Sequence, residues 1–282
     1  MMTRRQVLLS GLALLGAGRA EATTERRLSI GTTGVFLDDQ LAFLEAWKRY
    51  IQARLDLPVA FVQRSSYREI TELIVTDRID FAWVCSPPYV SNRGRVRLLA
   101  IPIWRGKPLY QSYVIVPSED LQTQSILDLG GKIYAYSDPD SNSGWLVPQV
   151  ELKRAGKDPR TFFRKTFFTW AHRRIVEAVG SNLAQGGSID GYVWETLHLR
   201  HPELTNRTRV AWKSAEFGFP PIIARGTIPE NDFRAFRKQL VDMPNDAEGR
   251  ELLRILNLDG FTPGRDDVFD TVAANMRFVG MG

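Results

Sequence analysis

Short strand-like and helix-like runs alternate along this chain, and the alternation limits the folds that it can adopt. Strands are indicated at residues 28–30, 59–62 and 80–84, and apolar residues at helical spacing lie between them. Strands that alternate with helices through short loops predict right-handed crossovers and a largely parallel sheet covered by helices. The first third of the chain therefore predicts an α/β fold.

Two extended segments, residues 110–116 and 217–224, interrupt the alternation. A second α/β set lies between them, and after the second segment we expect only helices. Pro220 and Pro221 argue against a central position in a sheet for that segment. Two extended segments that bracket a complete α/β set predict two lobes joined by two chain crossings.

The expected boundaries place residues 23–112 and 222–282 in lobe 1 and residues 113–221 in lobe 2. Lobe 2 should contain strands near 132–136, 162–168 and 189–193. Ligands of α/β sheets bind beyond the carboxyl ends of the strands. Two such edges that face each other predict a ligand cleft between the lobes.

Residues 1–22 read as an export signal of the twin-arginine type, with Sec export as the alternative. Arg4 and Arg5 precede an apolar run, 7–18, which is too short to anchor the chain in a bilayer. Ala20-Glu21-Ala22 fits a small-x-small cleavage site, and no cysteine lies near it to carry a lipid. We therefore expect a soluble periplasmic protein.

Charge and cysteine content exclude several functions. The chain has 37 Lys and Arg against 32 Asp and Glu, a formal charge of +5, part of which belongs to the export signal. Because the basic residues are dispersed, nucleic acid is not an expected partner. Cys85 is the one cysteine, so no internal disulfide can form.

A polar turn at residues 138–144 joins a strand-like run to a helix-like run and is the strongest candidate for binding. A helix start leaves backbone N–H groups unpaired, and together with the helix dipole these favour an anion. Ser141 and Ser143 add hydroxyl donors, while Asn142 and Gly144 complete the turn. The same residue types also cap helices that bind nothing, so an ordinary N-cap is the alternative.

The loops after the other strands are rich in hydroxyls, small residues and aromatics, as a compact polar ligand requires. Over residues 28–250 their order resembles the periplasmic phosphate, phosphite and phosphonate substrate-binding proteins, which have the two-lobed type II periplasmic-binding-protein fold. The resemblance is carried by Tyr67, the strand 79–83 leading to Pro88-Tyr89, the turn 137–144, His172 with the following 176–179, and the strand 189–192.

The resemblance implies that Tyr67 and Tyr89 close the cleft from lobe 1, opposite the Ser-rich helix start, His172 and Asp190 in lobe 2. Tyr192, beside Asp190, is expected at the same site. Protonation of His172 near neutral pH would strengthen its bond to an oxyanion. Asp190 suits a ligand that carries a proton. Packing of the two lobe 1 tyrosines and helix capping by His172 and Asp190 are the alternatives.

The chain departs from the family pattern at Asn142, which replaces a hydroxyl residue, and at Cys85-Ser86, where glycine is common. Cys85 is either a small buried residue or a thiol that faces the cleft. A thiol in the cleft would favour a thiophilic element, and arsenite-sensing members of the broad family use a cysteine.

We therefore expect a monomeric solute-binding protein that captures phosphate, phosphite or phosphonate. Its expected partner is the permease of an ABC transporter or a sensor histidine kinase. An arsenite sensor that uses Cys85 is the first alternative. Catalytic signatures are scarce, and a nucleophilic pair of Cys85 and His172 is the one enzyme hypothesis. No metal or cofactor is expected.

Overall fold

The computed structural model describes residues 26–34 and 41–281, so the predicted export signal at 1–22 lies outside the described residues. The strands, in chain order, are β1 (Leu28–Thr33), β2 (Val59–Arg64), β3 (Phe81–Trp83), β4 (Val96–Ile103), β5 (Leu109–Pro117), β6 (Ile133–Tyr136), β7 (Lys165–Phe168), β8 (Gly186–Asp190), β9 (Thr208–Gly218), β10 (Ile222–Arg225) and β11 (Gly260–Pro263). The strands and the intervening helices confirm the α/β prediction.

Helices lie between most of these strands. In chain order they are α1 (Leu41–Leu55), α2 (Tyr67–Val75), α3 (Ser86–Ser91), α4 (Val147–Arg154), α5 (His172–Gly180), α6 (Gly191–Arg200), α7 (Pro202–Thr205), α8 (Glu230–Val241), α9 (Ala247–Leu256) and α10 (Asp270–Val279). Within the described ranges no helix combines the length and the apolarity that a membrane span requires.

The strands form two sheets, one in each lobe. The lobe 1 sheet has the order β11-β4-β10-β3-β1-β2, and the lobe 2 sheet has the order β7-β6-β8-β5-β9. Among the described strands, β2-β1-β3 and β7-β6-β8 pair parallel, and helices join the strands of each unit. The strands next to the chain crossings pair antiparallel. The carboxyl ends of the two parallel units carry the loops singled out in the sequence.

The structure corrects three details of the strand predictions. Strand β10 lies between β3 and β4, although its two preceding prolines argued against a central position. Pro220 and Pro221 precede Ile222, the first residue of β10. Neither proline therefore has to donate a backbone N–H to the hydrogen bonds between strands. Strand β11 occupies the edge of the sheet in a region where only helices were expected, and β8 ends at Asp190 because Gly191 already begins α6.

The chain crosses between the sheets at residues 104–108 and 219–221. Strand β5 starts the lobe 2 sheet at Leu109, so the expected boundary after residue 112 falls inside a strand. Hydrophobic packing holds each sheet to its helices; in lobe 1, for example, the rings of Phe81 and Phe236 lie 4.4 Å apart. Because these crossings are short, the carboxyl ends of the parallel strands in the two sheets lie close together.

Helix α2 shows how the sequence positions one of these edges. Ser66 and Glu69 form a capping box at its start, and Ile70 and Ile74 are fully buried on its inner face. Gly31 in β1 permits α2 to pack closely, since a Cβ atom there would lie 3.1 Å from Cγ2 of Ile70 on α2 and 2.6 Å from Cδ1 of Ile79. Tyr67, the first residue of α2, is thereby held at the carboxyl edge of the lobe 1 sheet.

Candidate functional site

The polar turn after β6 forms a single helical turn of π geometry, Asn142–Leu146, which runs directly into α4. Ser141 is its N-cap: the Ser141 hydroxyl accepts a hydrogen bond from the Gly144 N–H at 3.0 Å. A Cβ atom on Gly144 would lie only 1.8 Å from the Ser137 hydroxyl oxygen. Glycine is therefore required here, because the helix start packs directly against the end of β6.

Three side-chain atoms at this helix start are buried without a hydrogen-bond partner among the described residues. They are Oγ of Ser137, Oδ1 of Asn142 and Oγ of Ser143, on residues that are at most 1% exposed. The hydroxyls of Thr32 and Thr33, at the carboxyl end of β1, have the same property within the described part of the chain. Since buried polar groups are normally paired, such a concentration is typical of a ligand site.

Cys85 joins the two lobes at this point. It follows β3 in lobe 1, and its Sγ accepts a hydrogen bond of 3.2 Å from the backbone N–H of Asn142 in lobe 2. Tyr67 packs against it. Burial raises the pKa of the Cys85 thiol to about 12, so the sulfur is protonated at neutral pH.

Two buried tyrosines complete the site, Tyr67 from α2 in lobe 1 and Tyr110 from β5 in the lobe 2 sheet. The hydroxyl of Tyr110 accepts a hydrogen bond from Nδ2 of Asn142 at 3.0 Å, and the Ser143 hydroxyl also lies close to it. Burial, and then the nearby Cys85 and Asp190, raise the pKa of both Tyr67 and Tyr110 well above the usual value. Both phenols therefore stay protonated as hydrogen-bond donors.

His172 and Asp190 form the lobe 2 wall. Asp190 caps α6, its Oδ1 accepting from the N–H groups of Tyr192 (2.8 Å) and Val193 (3.3 Å). The Asp190 N–H donates to Nδ1 of His172 at 3.2 Å, which places the imidazole proton on Nε2. Burial lowers the pKa of His172 to about 3 and raises that of Asp190 to about 8. A pKa this low leaves His172 neutral at pH 7 in this arrangement, without the protonation near neutral pH that the sequence led us to expect.

Three of the side chains predicted for the site donate hydrogen bonds to other parts of the protein. The Tyr89 hydroxyl donates to Asp266, and the Tyr89 ring packs edge-on against Phe269. The Ser86 hydroxyl donates to the Gly218 carbonyl at 3.1 Å. The hydroxyl of Tyr192 donates to the Leu256 carbonyl, and its ring packs on Phe219 and Trp104.

Tyr110 was not predicted from the sequence. The available signal was the period of two along β5, which puts Tyr110 and Ser112 on one face of the strand. The Ser112 hydroxyl donates to the Ser143 carbonyl at 2.7 Å and so fixes the helix start against β5. The structure thus brings Tyr67, Cys85, Asn142, Ser143, His172 and Asp190 together around Tyr110.

The resulting site consists of buried, neutral hydrogen-bonding groups. Among the described residues no Lys or Arg is buried, so these donors have no buried cationic side chain beside them. In the same part of the chain no cluster of His, Cys, Asp and Glu could hold a metal ion. Hydroxyls, an imidazole N–H and a neutral carboxyl can together bind a small oxyanion without a metal or a salt bridge.

Two lobes with a buried polar site where their strand edges meet define a periplasmic binding protein of type II architecture. The family model described as "ABC transporter, phosphonate, periplasmic substrate-binding protein" matches residues 36–269, and the chain belongs to this family. The family and the fold expected from the sequence are thereby confirmed.

Individual relatives are distant in sequence but cover most of the chain. The probable ABC transporter phosphite binding protein PhnD1 of Prochlorococcus marinus (strain MIT 9301) is 22% identical over 240 residues, 83% of this chain and 77% of the relative. A phosphonate-transporter binding protein from Pseudomonas aeruginosa superposes with a TM-score of 0.82 at 21% identity, over 90% of this chain and 87% of the other. PhnD1 in complex with methylphosphonate also gives 0.82, at 18% identity, over 91% and 99%. These structures establish the fold.

Proposed function

We propose that this chain captures a small phosphorus oxyanion, either phosphite or a short alkylphosphonate, in the periplasm for an ABC importer. The family supports the class of ligand, and PhnD1, named a phosphite binding protein and solved with methylphosphonate, supports the choice. The observation that carries the proposal is the group of buried side-chain oxygens at the helix start that have no hydrogen-bond partner among the described residues and lie near two buried tyrosines.

The residues of the site have different roles in binding the ligand. Ser137, Ser143 and the phenols of Tyr67 and Tyr110 donate hydrogen bonds to the ligand oxygens, and the helix dipole adds a favourable field. Asp190 is neutral below about pH 8 and shares a proton with the ligand. The lobes close on the ligand by bending at the crossings, and the closed form is what the permease binds.

The alternatives are weaker. The Cys85 thiol is protonated and accepts from Asn142, which favours a contact between lobes over a thiolate ligand for arsenite. His172 cannot accept the thiol proton on Nδ1, because that nitrogen accepts from Asp190, so we do not propose a nucleophilic pair. For a sensor histidine kinase as recipient, the described residues offer no supporting feature.

Titration calorimetry with phosphite, methylphosphonate, phosphate and arsenite tests the proposal. Ser143→Ala should weaken phosphite or methylphosphonate binding about 10- to 100-fold, since it removes a hydrogen bond to a charged group. Ser86→Ala deletes an equally buried hydroxyl that contacts the Gly218 carbonyl, and it should bind as wild type does. Equal affinities for the two variants, or binding of arsenite alone, would refute the proposal.

The two tyrosines offer a second matched comparison. Tyr110→Phe should weaken binding by about tenfold, because the phenol donor next to Asn142 is lost. Tyr89→Phe removes a hydroxyl that donates to Asp266 and should leave the affinity unchanged. Measured by the same titrations, the opposite order would restore the sequence-based assignment of Tyr89.

A further inference from the structure

We propose that Asp138 is a positioning residue that caps α2 across the cleft and sets Tyr67 in place when the lobes close. This inference rests on the proposed function. Asp138 follows β6 in lobe 2 and is 1% exposed. Its Oδ2 accepts a buried hydrogen bond of 3.1 Å from the N–H of Tyr67 in lobe 1, and its Oδ1 accepts from the Asp140 N–H at 2.7 Å.

The start of α2 explains why a carboxylate fits there. The first N–H groups of a helix have no partner inside it. The capping box satisfies two donors from within lobe 1, since Ser66 Oγ accepts from the Glu69 N–H and the Glu69 carboxylate accepts from the Ser66 N–H. The N–H of Tyr67 is served by Asp138 from the opposite lobe. A negative charge at this end is also favoured by the helix dipole.

The contact exists only while the lobes are together, because Asp138 and Tyr67 belong to different sheets. Once the cleft opens, water solvates both groups, and Tyr67 loses the bond that fixes its backbone. In the closed arrangement the Tyr67 ring packs on Cys85, and its phenol lies near Asp190. Asp138 therefore couples closure of the lobes to the placement of a ligand-binding phenol.

Another inter-lobe contact of α2 lies closer to the surface and provides the control. Arg68 pairs with Asp140 through two bonds of 3.3 Å each, but the Arg68 side chain is 75% exposed. Exposed ion pairs of this kind contribute little. Asp138 thus forms a buried helix cap and Asp140 a surface ion pair, so substitutions of the two aspartates compare these contacts within one loop.

Asp138→Asn is a sharp test because the amide has one acceptor oxygen for two N–H donors. Either the Tyr67 or the Asp140 N–H must then face an NH₂ group. We expect phosphite to bind about 10- to 100-fold more weakly, which is the cost of leaving a buried donor unsatisfied. The loss should appear in the dissociation rate, with the association rate and the number of sites per chain unchanged, because the bond forms after the ligand has entered.

Asp140→Asn makes the same chemical change two residues away and should alter the affinity by less than about threefold. Stopped-flow binding and calorimetry of the two variants decide the matter. Equal affinities for Asp138→Asn and Asp140→Asn, or fewer binding sites at unchanged affinity in Asp138→Asn, would overturn the role of Asp138 alone. A wild-type protein that binds neither phosphite nor methylphosphonate would overturn the proposed function, and the inference with it.

Discussion

Among substitutions that add a single methyl group to this protein, we expect Gly144→Ala to reduce the affinity for the ligand most. The new Cβ atom would lie 1.8 Å from Oγ and 2.7 Å from Cβ of Ser137. Ser137 is fixed at the end of β6, so the helix start has to move or Ser137 has to rotate out of the site. Overpacking of this kind costs about 1–3 kcal/mol of stability, and a binding site tolerates only about 0.5 Å of displacement.

Denaturant unfolding and calorimetry with phosphite measure the two consequences of Gly144→Ala. We expect affinity to fall by about 100-fold, equivalent to about 2.7 kcal/mol. Gly94→Ala is the matched control, since among the described residues no heavy atom beyond its chain neighbours lies within 4 Å of the Cβ position there. Wild-type affinity in Gly144→Ala would show that the turn after β6 is not the binding element.

The second large effect is a dependence of binding on pH that is governed by Asp190. Its pKa of about 8, raised by burial, makes the carboxyl neutral at pH 7 and ionised above pH 8. An ionised carboxyl repels an anionic ligand, so wild-type affinity should fall up to tenfold per pH unit above about pH 8. Asp190→Asn keeps the shape of the neutral carboxyl, and its oxygen can still accept from Tyr192 and Val193.

The ratio of wild-type to Asp190→Asn affinity isolates this carboxyl, because the ionisation of the ligand is common to both proteins. Between about pH 6 and about pH 10 the ratio should decline. Rising pH should also lower the stability of the fold. The folded state holds the Asp190 proton up to about pH 8, so the contribution of Asp190 to the free energy of unfolding decreases as pH rises from about 4 to about 8. A ratio independent of pH would contradict this role.

Periodicity located the two parallel units correctly, because the alternation of strands and helices is a local property of the sequence. Tyr67, Ser143 and Asp190 stand directly after strands or at helix starts, where the order of the elements decides their placement. Strand β10 was misjudged because prolines that precede a strand look the same in sequence as prolines inside it.

The remaining errors concern properties that arise only in the folded chain. Tyr89 and Tyr110 are both aromatics near a strand end, and only the direction of α3 decides which phenol reaches Asn142. The charge of His172 depends on complete burial, which lowers its pKa to about 3. The hydrogen bond between Asp138 and Tyr67 joins segments 71 positions apart, and no local pattern indicates it.

A crystal structure of the protein with methylphosphonate tests the central claim most directly. The phosphonyl oxygens should lie within hydrogen-bond distance of the hydroxyls of Ser143, Tyr67 and Tyr110, enclosed by both lobes. A ligand bound outside the cleft, or a cleft ligand whose oxygens contact none of these hydroxyls, would contradict the account.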